Sequence, residues 1–87
     1  MPGHHRLDVT APAAARVRAI DNRRLATVAR LAGAPAAKGA GVDLAVKVGD
    51  AVDVGQPLFT IVAETPGELR YAEAYARRNS DIIELEQ

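Results

Sequence analysis

Cysteine is absent from the 87 residues. That removes disulfide staples, thiolate metal sites and cysteine nucleophiles, and it fits a reducing, cytoplasmic setting. Tryptophan is also absent, and the only aromatics are Phe59, Tyr71 and Tyr75. Three rings are too few for a platform that stacks on single-stranded nucleic acid. No apolar run approaches the roughly 20 residues of a membrane helix, and no signal-peptide pattern opens the chain. Neither nucleic acid nor membrane is therefore expected as a partner. His4 and His5 are two adjacent imidazoles, too few ligands for a metal site.

A net charge is also lacking, but the two signs are unevenly spread. Residues 1–40 carry seven basic side chains against Asp8 and Asp21, a balance of +5. Residues 41–87 carry four basic side chains against nine acidic ones, a balance of −5. With no basic run and no interleaved aromatics, the expectation is that the halves neutralise each other within one fold. The length suits a single domain, with residues 1–5 as a flexible tip.

Short elements dominate what is present. Leu7, Val9 and Ala11 alternate with polar residues up to Pro12, which predicts a strand. Ala15–Ile20 predicts a second, with Val17 and Ile20 inward and Arg16 and Arg18 outward. Asp21 is placed as an N-cap for a helix from Asn22 to about Ala32, with Leu25, Val28, Ala29 and Ala32 on one stripe and Gly33 at its end. Residues 34–41 are small and flexible and predict a loop. Val42, Leu44, Val46 and Val48 alternate as one strand with Lys47 inside it. Val52 and Val54 continue the alternation, and Leu58–Ala63 is a further β-rich run. Glycines at 49 and 55 permit tight reversals, and Pro57 belongs at an edge or corner. Thr65, Pro66 and Glu68 form a capping box for a helix to about Arg78. Ile82, Ile83 and Leu85 close the chain as a short strand. The class is α+β.

The valine and glycine spacing over Val46–Leu58 is similar to that of barrel-sandwich folds such as biotinyl and lipoyl carrier domains. A carrier needs a lysine at a hairpin tip in a defined context, and neither Lys38 nor Lys47 has one. Several segments in register carry a more specific resemblance: Val17-Arg-Ala-Ile-Asp-Asn-Arg-Arg-Leu25, Leu31-Ala-Gly-Ala-Pro35, Lys38-Gly-Ala-Gly-Val-Asp-Leu44, Val48-Gly-Asp50 and Gly55-Gln-Pro-Leu-Phe-Thr-Ile61. Together they resemble the C-terminal domain of the thymidine/pyrimidine-nucleoside phosphorylase family, over nearly the whole chain. The Asp-Asn-Arg-Arg helix start and the Ala-Glu-Thr-Pro-Gly-Glu-Leu-Arg-Tyr run at 63–71 are closest to the branch that holds the "putative thymidine phosphorylases" and the AMP phosphorylases. Ala15 stands where the family usually has glycine.

The resemblance implies an α/β hammerhead joined to a barrel-sandwich hybrid. It implies a parent enzyme, a homodimer through its helical domain, that cleaves a pyrimidine nucleoside or AMP with phosphate to free base and (deoxy)ribose 1-phosphate. No redox cofactor or obligatory metal is implied. The family's phosphate- and base-binding residues lie in N-terminal helical and central α/β domains, which would be this chain's partners. No catalytic, cofactor or metal residue is therefore assigned here. The remaining candidate is a cleft-closing loop at Lys38, Gly39 and Gly41, because that stretch has almost no side chains of its own. The alternatives are a biotinyl- or lipoyl-like carrier and a stand-alone interaction module. Arg23 and Arg24 at a helix start are expected to pair with acids, and Tyr71 and Tyr75 to pack on the helix surface.

Overall fold

The computed structural model describes residues 5–37 and 39–87. The order is β1 (His5–Thr10), β2 (Ala15–Ile20), α1 (Asn22–Ala32), β3 (Gly41–Leu44), β4 (Ala51–Val52), β5 (Pro57–Ala63), α2 (Pro66–Arg78), a 3-10 turn (Ser80–Ile82) and β6 (Ile83–Glu86). The expected α+β class holds. Two antiparallel three-stranded sheets form, ordered β1-β5-β3 and β4-β2-β6. His5, expected within a flexible tip over residues 1–5, instead pairs with Ala63; residues 1–4 lie outside the described residues.

Both helices begin where their caps predict. The Asp21 carboxylate accepts from the Arg24 N–H at 3.1 Å. The Thr65 hydroxyl accepts from the Glu68 N–H at 3.2 Å and donates to the Glu68 carboxylate at 3.0 Å. Each cap satisfies donors that the first helical turn leaves open. The buried stripe of α1 is Leu25, Val28 and Ala32, and α2 buries Ala72 and Ala76. These small residues let the helices lie close against each other and against β5. The floor of the core is Phe59, Ile61, Val17, Val28 and Ile82, each at most 2% exposed.

Val17 and Ile20 both face inward although they are three residues apart. The β2–β6 register shifts between Val17 and Ala19, and such a bulge inserts one residue and resets the alternation. Ala15 simply opens β2, paired with Val52. No described non-glycine residue has a positive φ, so the turn before β2 tolerates alanine.

The expected long strand from Val42 to Val48 is corrected. β3 ends at Leu44, and only the Ala45 N–H continues toward β5, donating to the Leu58 carbonyl at 2.9 Å. The chain then leaves that sheet for the other one. Gly49 N–H donates to the Val17 carbonyl and Val17 N–H to the Asp50 carbonyl, both at 2.8 Å. The valines consequently do not face one interior. Val46 and Val52 are buried, while Val48 and Val54 are 59% and 68% exposed.

Val48 and Val54 sit at the tips of two turns of identical construction, Lys47–Asp50 and Asp53–Gln56. In each, the fourth residue's N–H donates to the first residue's carbonyl at 3.1 Å. In each, the fourth side chain accepts from the first N–H, Asp50 at 2.9 Å and Gln56 at 3.1 Å. In each, the third residue is glycine with φ of 98° or 83°, where a β-carbon would clash with its own backbone. Each glycine then docks on a neighbouring segment, Gly49 on Val17 and Gly55 on Ala11. Pro57, expected at an edge or corner, is the first residue of the central strand β5. That is a position where its missing N–H is tolerated.

Candidate functional site

The candidate closing loop connects α1 to β3. Its root is tied to the helix: Gly33 N–H donates to the Arg30 carbonyl and Ala34 N–H to the Ala29 carbonyl, both at 3.0 Å. It then folds on itself, with Ala37 N–H donating to Gly33 at 2.9 Å and Ala40 N–H to Ala37 at 3.1 Å. A β-carbon at Gly33 would come within 3.2 Å of both Ala37 Cβ and Glu68 Oε2, so the root packs on the first turn of α2. Gly39 is exposed, while Gly41 already belongs to β3 and pairs with Val62. Lys38 lies outside the described residues. The structure thus separates the candidates: Gly39 is near the tip and Gly41 is at a paired hinge.

Lys47 is corrected from a strand interior to the first position of a turn. Its side chain is 85% exposed and its ammonium lies 3.2 Å from Asp50 Oδ1. The Lys47 backbone N–H, and then its side chain, hold the Asp50 carboxyl below the ordinary carboxylate value.

The expected pairing of the helix-start arginines is met at Arg24. Its guanidinium donates to Asp21 at 2.8 Å, to Asn79 Oδ1 at 3.1 Å and to Asp81 at 2.7 Å. One side chain therefore joins the start of α1, the C-cap of α2 and the 3-10 turn. The Asp21 N–H adds a bond to the Ile82 carbonyl at 2.8 Å. Both carboxyls are held below their ordinary value. For Asp21 the chief cause is the Arg24 N–H, and for Asp81 it is the Arg24 guanidinium. The two acids in turn push the Arg24 pKa up. The 55-residue separation of Arg24 and Asn79 left no local signal in the sequence.

Two further features were not read from the sequence. A groove of about 570 Å³ has an apolar floor of Val9, Leu58, Phe59, Ile82 and Leu85, with Arg77, Asn79 and Asp81 on its rim. A smaller cavity of about 210 Å³ lies beside Leu7–Thr10 and is closed by Glu73 and Arg77 of α2. Tyr71 and Tyr75, both expected to pack on the helix surface, differ: Tyr75 packs against the core, whereas Tyr71 is 72% exposed. No described helix is long and apolar enough to cross a membrane.

Known proteins place this architecture. The chain is 56% identical over 82 residues to "Putative thymidine phosphorylase" of Sphingopyxis alaskensis, covering 94% of this chain and 16% of that protein. It is 53% identical over 78 residues to the protein of the same name from a Chelativorans species, covering 90% and 15%. It is 52% identical over 77 residues to that of Legionella pneumophila strain Corby, covering 88% and 15%. The chain thus spans about one sixth of the length of these relatives. Residues 16–83 match the family described as pyrimidine nucleoside phosphorylase C-terminal domain. That match takes in every element from β2 to the start of β6, and the chain belongs to the pyrimidine nucleoside phosphorylase C-terminal domain family.

Proposed function

We propose that this domain is the C-terminal part of a cytoplasmic phosphorylase that cleaves the N-glycosidic bond of a pyrimidine nucleoside with inorganic phosphate. A phosphate oxygen forms the new bond to C1′ of the sugar. The bond to the base nitrogen breaks, its electron pair leaves with the base, and the base takes up a proton. The products are free base and (deoxy)ribose 1-phosphate. The observation that carries this reading is the family match together with relatives about six times longer that bear the thymidine phosphorylase name. In this reading the substrate-binding groups belong to the preceding domains, and this domain shapes the cleft without supplying a catalytic residue. In this reading its two three-stranded sheets and paired helices would make up the barrel-sandwich and hammerhead parts of such a domain.

The test is an assay of the full-length protein with phosphate and thymidine, uridine or AMP. Release of base from a pyrimidine nucleoside is expected. Release from AMP alone would move the substrate to the nucleotide, and no release from any of the three would remove the enzyme reading.

The loop at Lys38, Gly39 and Gly41 is assigned to closure over the substrate. Support comes from a tip with little side-chain bulk between two fixed ends, the α1 C-cap and the β3 pairing. Gly39 and Gly41 have φ of 87° and 149°, which alanine reaches only with strain of roughly 1–2 kcal/mol. Alanine at both positions in the full-length enzyme is expected to raise KM and lower kcat several-fold. Unchanged constants in a folded variant would assign the loop to connection alone.

A further inference from the structure

Among the described residues β1 is an edge strand: the order β1-β5-β3 leaves one of its sides unpaired. What lies along that side is a furrow. Leu7, Asp8, Val9 and Thr10 all line the smaller cavity. Successive strand side chains point to opposite faces, so the consecutive residues Leu7, Asp8 and Val9 place that space along the edge, with Thr10 following after the register shift at Val9. β5, on the other side of β1, does not line that cavity. The same geometry recurs at β6, the edge of the second sheet, whose consecutive residues Ile83, Glu84 and Leu85 line the larger groove. The two spaces share Val9, Thr10 and Arg77. A free edge of each sheet therefore opens onto one furrow.

Such an edge presents a row of unpaired N–H and C=O groups, which natural proteins cover or pair. An extended segment laid along it would gain main-chain hydrogen bonds and place alternate side chains into pockets beside the strand. At about 3.3 Å per residue, β1 offers an edge of roughly 20 Å. The apolar floor at Val9, Leu58 and Phe59 suits one large apolar side chain of the incoming segment.

Resting on the phosphorylase reading above, we propose that the β1 edge receives an extended segment of the polypeptide preceding this domain, paired with β1 as an added strand. The occupant follows from length and order. The domain is C-terminal in its family and fills only 16% of the Sphingopyxis alaskensis relative, so in such a protein most of the polypeptide precedes the domain and is at hand to lie along this edge.

Amide hydrogen exchange tests this. The rates along His5–Thr10 of this chain alone are compared with those of the matching residues in the full-length Sphingopyxis alaskensis protein. Added-strand pairing slows alternate amides of that stretch by at least about tenfold in the long protein. Equal rates overturn the proposal. Uniform slowing of consecutive amides overturns it too, since that reports a cover without strand pairing. Slowing that appears in the isolated chain as its concentration rises, and not in the long protein, assigns the edge to a second copy and overturns it as well. Phosphorolysis by the long protein is measured separately, so an inactive enzyme with a protected edge and an active one with an exposed edge are told apart.

Discussion

Removing the Arg24 guanidinium leaves acceptors on Asp21, Asn79 and Asp81 facing one another without a cation. Arg24→Ala is expected to melt lower than the parent at pH 7. The sign with pH follows from the depressed carboxyls. Asp21 and Asp81 have folded pKa values below the unfolded value of about 4, so their contribution is complete above that pH and fades as pH falls through the folded values. The gap in Tm between parent and variant should hold from pH 7 to about 5 and narrow in stronger acid. A gap independent of pH down to 2 would place the role of Arg24 in packing. Arginine suits this position better than lysine, because its planar fork spreads donors over Nε toward Asp21 and Nη1 toward Asn79 and Asp81, which a single ammonium nitrogen does not. Half of the cluster was legible in the sequence, since Asp21 and Arg24 are a local cap pair. Asn79 reads locally only as a helix breaker, and Asp81 as one more surface acid. At the core, Ile61 is fully buried. Ile61→Ala should cost about 2–5 kcal/mol in urea melts, a large share of the total stability of so small a domain.

Elements were legible where a local rule is sufficient. The capped helices follow from their caps and β5 from its β-rich run, while β2 has the expected bounds but needs the bulge against β6 to turn both Val17 and Ile20 inward. The stretch from Val42 to Val54 is different. Period-two alternation says which side of the backbone a residue takes, but not which sheet lies on that side. At Ala45 and Val46 the chain passes from one sheet to the other, so the same alternation buries Val46 and Val52 and exposes Val48 and Val54. The contrast is measurable by chemical denaturation. Val52→Ala should cost roughly 1–3 kcal/mol and Val54→Ala less than about 0.5 kcal/mol. Similar costs at the two sites would contradict the turn-tip placement of Val54.

Across the whole molecule, the opposed charges of the two halves meet each other. Arg6 lies 3.6 Å from Asp43, Arg18 3.8 Å from Glu84 and Arg24 2.7 Å from Asp81. These contacts join the basic half to the acidic half, as the sequence suggested. The pairs at Arg6 and Arg18 are exposed, and exposed pairs contribute about 0–1 kcal/mol each and are screened by salt. Tm should therefore fall by only a few degrees between low salt and about 1 M sodium chloride. A drop several times larger would mean that the charge halves act as more than a surface complement. The loop between α1 and β3 was legible because its signature is local, a run of residues with little side chain. The β1 furrow was not, because its two walls come from opposite ends of the chain and neither wall carries a motif.

The twin turns have a consequence for how the chain finds its fold. Val46–Ala51 and Val52–Pro57 carry one local code twice in succession. A slip of six residues against Val17 and Ala11 would keep inward valines inward and put one glycine corner where the other belongs. The native alignment is favoured over that near-degenerate rival by features the units do not share. Arg16 donates to the Gly49 carbonyl at 2.8 Å, and Pro57, where the first unit has Ala51, withholds a donor that a shifted ladder would use. A single guanidinium and a single missing hydrogen thus help to tell two similar alignments apart, alongside the pairing of β5, which begins at Pro57, with β1 and β3.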